Sequence, residues 1–404
     1  MKFSLKTIAI LICLIGALSC GKVNEDCNLH TYANSPDQTF FKSHNGSEEE
    51  SHGHFILSCS DGGFLQVGET GSLKNSAKIL VIKTDQQGEL IWKKEFSDGT
   101  INLGNSAIEV NDGYIVCGAK GDDSFIAKLQ KSTGSILFEN TIENGGSDAF
   151  EHLIVMNDQI ITVGYRNAED NLNTFFTEGE GFFSFLDLEG NLIQGLSLSS
   201  ELAHCYRIEQ FNGNLFVSGL TENASDYGLL KLDSTGNILW SKRYGGSDSD
   251  HCFGMDISSD GSIFLTGHTL SGSENWDTYT VKISNDGDLL WESVNGNPRG
   301  FKPKFIHDEA WGIKATTDGG CILVAGTGDE YGRYKRKCGN DGDNSNTWHV
   351  YLVKLDNYGD VEWQQTYGQV KSDWAGEDID LTADGGAIIA VDNGEFGFLK
   401  ISPF

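Results

Sequence analysis

Positive charge is scarce in this chain: 29 lysines and arginines stand against 58 acids, a formal charge of −29. A surface so acidic repels phosphate backbones and anionic lipid headgroups, which excludes nucleic acid as a partner. Beyond residue 20 no apolar run reaches the length of a membrane span. The nine cysteines include no Cys-x-x-Cys pair. With Cys13 and Cys20 set aside, Cys27, Cys59, Cys117, Cys205, Cys252, Cys321 and Cys338 remain, an odd number that argues against a disulfide framework. Cys59, Cys117 and Cys321 lie in strand-like runs, where a small buried hydrophobe is the plainer reading, whereas Cys338 lies in a polar loop. Also missing are a Gly-x-Ser-x-Gly elbow, a phosphate-binding Gly-Lys-Ser/Thr and a His-Glu-x-x-His pair. What is abundant is glycine, with 50 copies, beside 38% hydrophobic and 11% aromatic residues spread evenly along the chain. That balance excludes disorder and points to turn-rich β structure.

The first residues read as export machinery. Lys2 and Lys6 precede an apolar stretch, Ile8 to Leu18, and Ala17-Leu18-Ser19-Cys20 is a small-residue cleavage site ending in cysteine. It resembles a bacterial lipoprotein signal. The expected organisation is therefore a signal peptide over 1–19, a tether over 20–37 and one folded unit over 38–404, with Cys20 lipidated. Attachment to the outer membrane or cell surface by the lipid alone is expected, with the periplasm or secretion as second choice.

An internal repeat dominates the rest. Trp311-Gly312-Ile313 leading to Asp318-Gly319 and on to Gly326 aligns with Phe253-Gly254-Met255 leading to Asp260-Gly261 and on to Gly267. Each segment reads as a strand, a tight turn and a second strand ending in glycine. The turn recurs seven times, at Asp61-Gly62, Asp112-Gly113, Asp158-Gln159, Asn212-Gly213, Asp260-Gly261, Asp318-Gly319 and Asp384-Gly385. Two more strands follow in each unit, which makes four strands in about 50 residues, the dimensions of a propeller blade. The seventh unit ends at Phe398-Leu399-Lys400-Ile401 without a fourth strand, and Thr39-Phe40-Phe41-Lys42 near the N-terminus matches the missing one. The predicted fold is all-β: one seven-bladed β-propeller of four-stranded antiparallel blades, closed by an N-terminal strand.

Lys83/Trp92, Lys231/Trp240, Lys282/Trp291 and Lys354/Trp363 are each nine residues apart across the third and fourth strands. That spacing places them directly opposite one another and predicts a cross-strand cation–π pair with a structural role.

Up-and-down connectivity puts the short turns on one face and every long connection (165–181, 268–276, 295–307 and 327–348) on the other, where binding groups are expected. His204 and His251 open the innermost strands of blades four and five, and His268 ends the second strand of blade five. Tyr227 opens the third strand of blade four and Arg243 closes its fourth. Arg166, His307, Trp311, Tyr331 and the run Arg333, Lys335, Arg336, Lys337 join them from the long-loop side. In so acidic a chain that basic run reads as a receptor for a carboxylate or sulfate. The plainer readings are histidines bonded to a neighbouring blade's backbone and a solvated basic loop. No resident cofactor or metal is expected, although His204-Cys205, His251-Cys252 and Cys338 leave a structural zinc open, and Asp341 to Ser345 an imperfect calcium loop.

On these residues the chain resembles the exported seven-bladed propeller lipoproteins of bacterial polysaccharide-utilisation systems, and its rim is similar to that of propeller-type ulvan lyases and oligosaccharide dehydratases. That resemblance implies a monomeric carbon–oxygen lyase acting on an acidic, uronate-containing polysaccharide or oligosaccharide. It implies catalytic roles for His251, His268, Tyr227 and Arg243, with substrate binding by His204, Arg166, Tyr331, Arg333, Lys335, Arg336, His307 and Trp311. Two other classes stay open. One is a non-catalytic glycan-binding scaffold that stacks sugars on Trp276, Trp311, Trp348 and Trp374. The other is a glycoside hydrolase that draws its acid and base from Asp308, Glu309, Asp329 and Glu330.

Overall fold

The computed structural model describes residues 32, 34–48, 50–73, 76–143, 145–168, 179–221, 225–299, 303, 306–329, 347–369 and 372–404. The predicted signal peptide, Cys20 and Cys27 lie outside the described residues, as do Tyr331, Arg333, Lys335, Arg336, Lys337 and Cys338.

The chain opens with β1 (Gln38–His44) and continues into seven blades. Blade 1 is β2 (Ser51–Ser58), β3 (Phe64–Ser72), β4 (Ser76–Thr84) and β5 (Leu90–Phe96). Blade 2 is β6 (Asn102–Val110), β7 (Gly113–Lys120), β8 (Asp123–Gln130) and β9 (Ile136–Ile142). Blade 3 is β10 (Ser147–Met156), β11 (Gln159–Ala168), β12 (Glu180–Leu186) and β13 (Leu192–Ser197). Blade 4 is β14 (His204–Phe211), β15 (Asn214–Leu220), β16 (Tyr227–Leu232) and β17 (Ile238–Tyr244). Blade 5 is β18 (Asp250–Ile257), β19 (Ile263–Thr269), β20 (Asp277–Ile283) and β21 (Leu289–Asn295). Blade 6 is β22 (Ile306–Ala315), β23 (Cys321–Asp329), β24 (Thr347–Leu355) and β25 (Val361–Tyr367), and β26 (Ala375–Leu381), β27 (Ala387–Asp392) and β28 (Phe396–Ile401) begin blade 7.

Every blade is a four-stranded antiparallel sheet in chain order, except that the last is completed by β1 in the order β1-β28-β27-β26. Phe40 faces Lys400, Phe41 faces Leu399 and Lys42 faces Phe398, the closure read from the sequence. The join is packed as well as hydrogen-bonded, since the Phe41 ring stacks on Trp374 with centroids 3.8 Å apart. Trp374 is therefore core, 5% exposed, and not a sugar platform.

The cores lie between neighbouring blades. Phe55, Val67, Val81 and Phe96 of blade 1, for instance, pack on Tyr114, Val116 and Phe125 of blade 2. Alternation along each strand sends one set of apolar residues toward each neighbour, so interior strands bury side chains on both faces. The turns behave as their residues dictate. Gly261 at φ +86° supplies the left-handed backbone, and at Asp158-Gln159, which has no glycine, Asn157 and Asp158 take it at φ 52° and 58°.

The Lys/Trp pairs do stand opposite one another, but the cation–π expectation needs correction. The Lys83 and Lys354 ammonium groups turn to the Asp-Gly turns, 3.0 Å from Asp61 and 2.8 Å from Asp318, and also donate to the carbonyls of Thr84 and Leu355. In blades 4 and 5 the ammonium lies over a phenylalanine on the second strand, Lys231 5.4 Å from the Phe216 centroid and Lys282 5.3 Å from Phe264. A buried ammonium carries three donors that a π face cannot fully satisfy, so carboxylate and carbonyl oxygens win.

Candidate functional site

The site begins with an irregularity that recurs in every blade. Along each innermost strand the pairing with the second strand slips by one residue, skipping His54, Asn105, Glu151, Tyr206, Phe253, Trp311 and Glu377 in turn. Each is a β-bulge, which re-aims the extra side chain. Sequence builds the bulge by keeping its neighbours small. Gly53, Gly104, Cys205, Cys252, Ala310 and Gly376 immediately precede it in six blades, with Phe150 in that place in blade 3, and glycine stands across the ladder at Gly68, Gly118, Gly164, Gly219 and Gly267. A Cβ at Gly219 would lie 1.9 Å from the His204 carbonyl oxygen, and one at Gly267 would lie 1.7 Å from that of His251. Cys205 and Cys252 are thus the small buried residue before a bulge. Burial raises both thiols, that of Cys252 to about 12.

All seven bulge residues line one cavity of about 330 Å³, with Glu69, Tyr165, His204 and Arg207 among its other walls. One arc of it is aromatic: Tyr206 and Phe253 have ring centroids 4.9 Å apart, Phe253 and Trp311 4.3 Å. The facing arc is acidic. His54 lies between two carboxylates, Nε2 2.7 Å from Glu69 and Nδ1 3.8 Å from Glu377. Burial disfavours its charge, but Glu69 and Glu377 outweigh that and hold its pKa well above the ordinary histidine value. Burial raises Glu377 in turn, against the pull of His54. His204, stacked on Tyr206 at 4.0 Å, has Nε2 3.0 Å from Glu151 Oε1 and joins the two arcs.

A second cavity of about 510 Å³ shares Trp311 and Glu377 with the first and is edged by Glu50, His52, Trp348 and Asp392. There a hydrogen bond to Asp392, 2.8 Å away, raises His52 to about 9 despite its burial.

The histidines of blade 5 have the opposite character. His251 Nδ1 lies 3.0 Å from His268 Nε2, and both rings pack on Trp276, with centroids 4.6 and 4.7 Å away. Burial, then the neighbouring His307, pushes His251 down to about 4; burial, then His251 and His307, holds His268 well below the ordinary value. Both are neutral imidazoles at pH 7. His251 is partly exposed, whereas His268 is 2% exposed behind it. His307 is stacked 6.1 Å from Trp276, and its Nε2 lies 2.9 Å from Glu309.

The other predicted site residues fall elsewhere. Tyr227 is fully buried between blades 4 and 5, its hydroxyl donating to the Tyr279 carbonyl at 2.8 Å. Arg243 is exposed on the outermost strand β17, opposite Gly228. Arg166 pairs with Glu180 at 3.1 Å over the Phe182 ring. The structure therefore brings His251, His268, His307 and Trp311 together and leaves Tyr227 and Arg243 out of that group. Of the acids considered for hydrolysis, Asp308 is buried and raised by that burial to about 7, and Glu309 faces His307; Glu330 lies outside the described residues. Among the described residues no three His, Cys, Asp or Glu side chains are grouped as metal ligands.

Sequence reasoning missed His54, Glu69, Asn105, Glu151, Tyr206, Phe253 and Glu377. A signal was present, because Phe253 and Trp311 occupy one column of the repeat, directly after a small residue, and the other blades place the remaining bulge residues in that same column.

No protein-family model and no curated protein matches the sequence. Solved structures match in shape. The WD40 β-propeller domain of Doa1 has a TM-score of 0.55 at 11% identity, over 90% of this chain and 97% of that one. A catalytically inactive histidine-to-alanine variant of virginiamycin B lyase from Staphylococcus aureus, with quinupristin, has a TM-score of 0.57 at 12% identity, over 89% and 99%. A hypothetical selenium-binding protein from Sulfolobus tokodaii has a TM-score of 0.54 at 12% identity, over 85% and 84%. At such identities the likeness establishes the fold alone: the protein is a seven-bladed β-propeller.

Proposed function

We propose that this propeller is a carbon–oxygen lyase that cleaves a uronate-containing glycan by β-elimination, with His251 and His268 as its proton-transfer pair. The observation that carries the reading is a pair of neutral imidazoles 3.0 Å apart beside an aromatic wall. A base near neutrality must be deprotonated before it acts, and burial keeps His251 so. In the reaction His251 removes the C5 proton, and the electron pair forms the C4–C5 double bond as the C4–O bond breaks. The leaving oxygen takes a proton from water, while His268, neutral and buried, holds His251 through the Nδ1–Nε2 hydrogen bond and shares the proton that His251 accepts. Trp276, Trp311 and Phe253 offer the ring a stacking surface. The carboxylates across the cavity repel an anionic sugar, so its ring sits toward blades 5 and 6; the charge for its carboxylate is assigned to the run Arg333 to Lys337, which lies outside the described residues. Tyr227 has a packing role in this scheme and Arg243 none in the chemistry. A propeller lyase whose histidine variant is inactive, the virginiamycin B enzyme, lends support by analogy of fold.

Ultraviolet absorbance of unsaturated uronate, followed on ulvan oligosaccharides, is the test. Wild type should produce it, and His251→Ala should lower the rate on the order of a hundredfold with its melting temperature held. Reducing ends without absorbance would mean hydrolysis. Binding without either would leave the glycan-binding reading, which the continuous aromatic arc favours. Export on a lipid attached to Cys20 belongs to the same proposal. A palmitate analogue should label the wild type but not Cys20→Ala, and an unlabelled wild type would mean plain secretion.

A further inference from the structure

The axial cavity has a chemistry of its own, separate from the histidine pair. Its ionisable walls are Glu69, Glu151 and Glu377 against His54, His204 and Arg207, with His204 bonded to Glu151. Arg207 is already committed, with Nη2 3.7 Å from Asp378 and its guanidinium 5.8 Å from the Phe55 centroid. With Asp378, four carboxylates thus meet one guanidinium and two imidazoles, inside a chain that is acidic throughout. Glu69 is the informative member. It is 1% exposed, His54 takes its Oε1, and its Oε2 has no hydrogen-bond partner among the described residues. A buried carboxylate oxygen without a donor is costly, so the site is built for a donor that arrives with a ligand.

The opposite wall narrows the class of that ligand. Tyr206, Phe253 and Trp311 form a contiguous aromatic wall, with Tyr206 edge-on to Phe253 and backed by His204, which attracts a cation carried on a flat or apolar body. An anion would meet Glu69, Glu151 and Glu377 with no uncommitted positive charge opposite. A neutral sugar would leave their charge unmatched. A volume of about 330 Å³ admits a single ring and its substituents.

We propose that the ring of bulge residues on the propeller axis is a binding site for an organic ammonium: a protonated primary or secondary amine on a ring, its N–H groups donated to Glu69, Glu151 and Glu377 and its ring laid on Tyr206, Phe253 and Trp311. The site goes beyond the elimination reading: it shares the Phe253 and Trp311 wall with that reading, but its carboxylates and His54 take no part in the elimination.

Calorimetric titration with benzylamine, and with benzyl alcohol as its neutral isostere, tests the proposal on the whole protein. Benzylamine should saturate one site, and the alcohol should bind at least tenfold more weakly. Glu69→Gln should weaken the amine at least tenfold. Since that change also releases His54, Glu151→Gln serves as a second variant and should weaken it severalfold. Phe253→Leu should weaken amine and alcohol together. His251→Ala, which removes the proposed elimination chemistry, should leave benzylamine affinity within twofold, so the two readings fail separately. Equal affinity for amine and alcohol, no saturable amine binding, or amine affinity unchanged in both carboxylate variants would overturn the proposal.

Discussion

Replacing Gly267 with alanine isolates the element on which the axial site rests. The added Cβ would lie 1.7 Å from the His251 carbonyl oxygen and 2.8 Å from the Tyr227 hydroxyl, and both neighbours are held by the ladder or by burial. An ordinary carbon–oxygen contact needs about 3.3 Å, so the strands must part by roughly 1.5 Å. Overpacking of that kind costs about 1–3 kcal/mol, and one or two lost ladder bonds add about 1 kcal/mol each. The total is about 2–5 kcal/mol, or a fall of roughly 3–6 °C in melting temperature for a chain of this size. Gly272 is the control. Its φ is +75° but nothing lies within 4 Å of a Cβ there, so Gly272→Ala meets only left-handed backbone strain of about 1 kcal/mol. Thermal unfolding would rank the two, and amide exchange should quicken in β18 and β19 of the Gly267 variant alone. If Gly267→Ala melts at or above Gly272→Ala, the glycines are not what makes room for the bulges, and the argument from sequence to axial site fails.

Phe41→Ala should cost about 2 kcal/mol in chemical denaturation, because the half-buried ring stacks on Trp374 across the closure; a neutral result would mean that β1 is held by its backbone alone. For the buried ammonium groups, a double-mutant cycle of Lys354→Met with Asp318→Asn should give coupling of about 1 kcal/mol, and the cycle with Trp363→Leu much less. The reverse order would restore the cation–π reading. Asp308 makes stability depend on pH: burial raises its folded pKa to about 7 while the unfolded carboxyl titrates near 4, so the folded state binds the extra proton between those values. Its contribution is complete below pH 4 and is lost as pH rises through 7, an effect on the order of 4 kcal/mol. Asp308→Asn should therefore lose less stability than wild type between pH 5 and pH 8, and parallel curves would show that Asp308 is ionised throughout.

The blades were legible in the sequence because their determinants are local. Asp-Gly turns, alternating apolar residues and a third strand with no fourth are patterns within a few dozen residues, and they set the blade count and the choice of Thr39 to Lys42 as the strand that closes the last blade; the register of Phe41 on Leu399 came with the structure. The meeting of His251 and His268 was legible for the same reason, since one hairpin register puts them opposite each other. Arg243 was misjudged because strand ends share a rim but not a radius. The fourth strand of a blade stands about 14 Å from the first, three strand spacings outward, which takes its side chains away from the axis. The Lys/Trp pairs had the right register and the wrong partner, because register fixes which side chains face each other while burial decides what an ammonium must bond to. The axial ring belongs to the tertiary structure alone. One bulge is a skipped residue, after a small one in six of the seven blades, a weak signal in any single blade. Only closure of seven blades around an axis turns seven such skips into one wall, with carboxylates on one side and aromatic faces on the other.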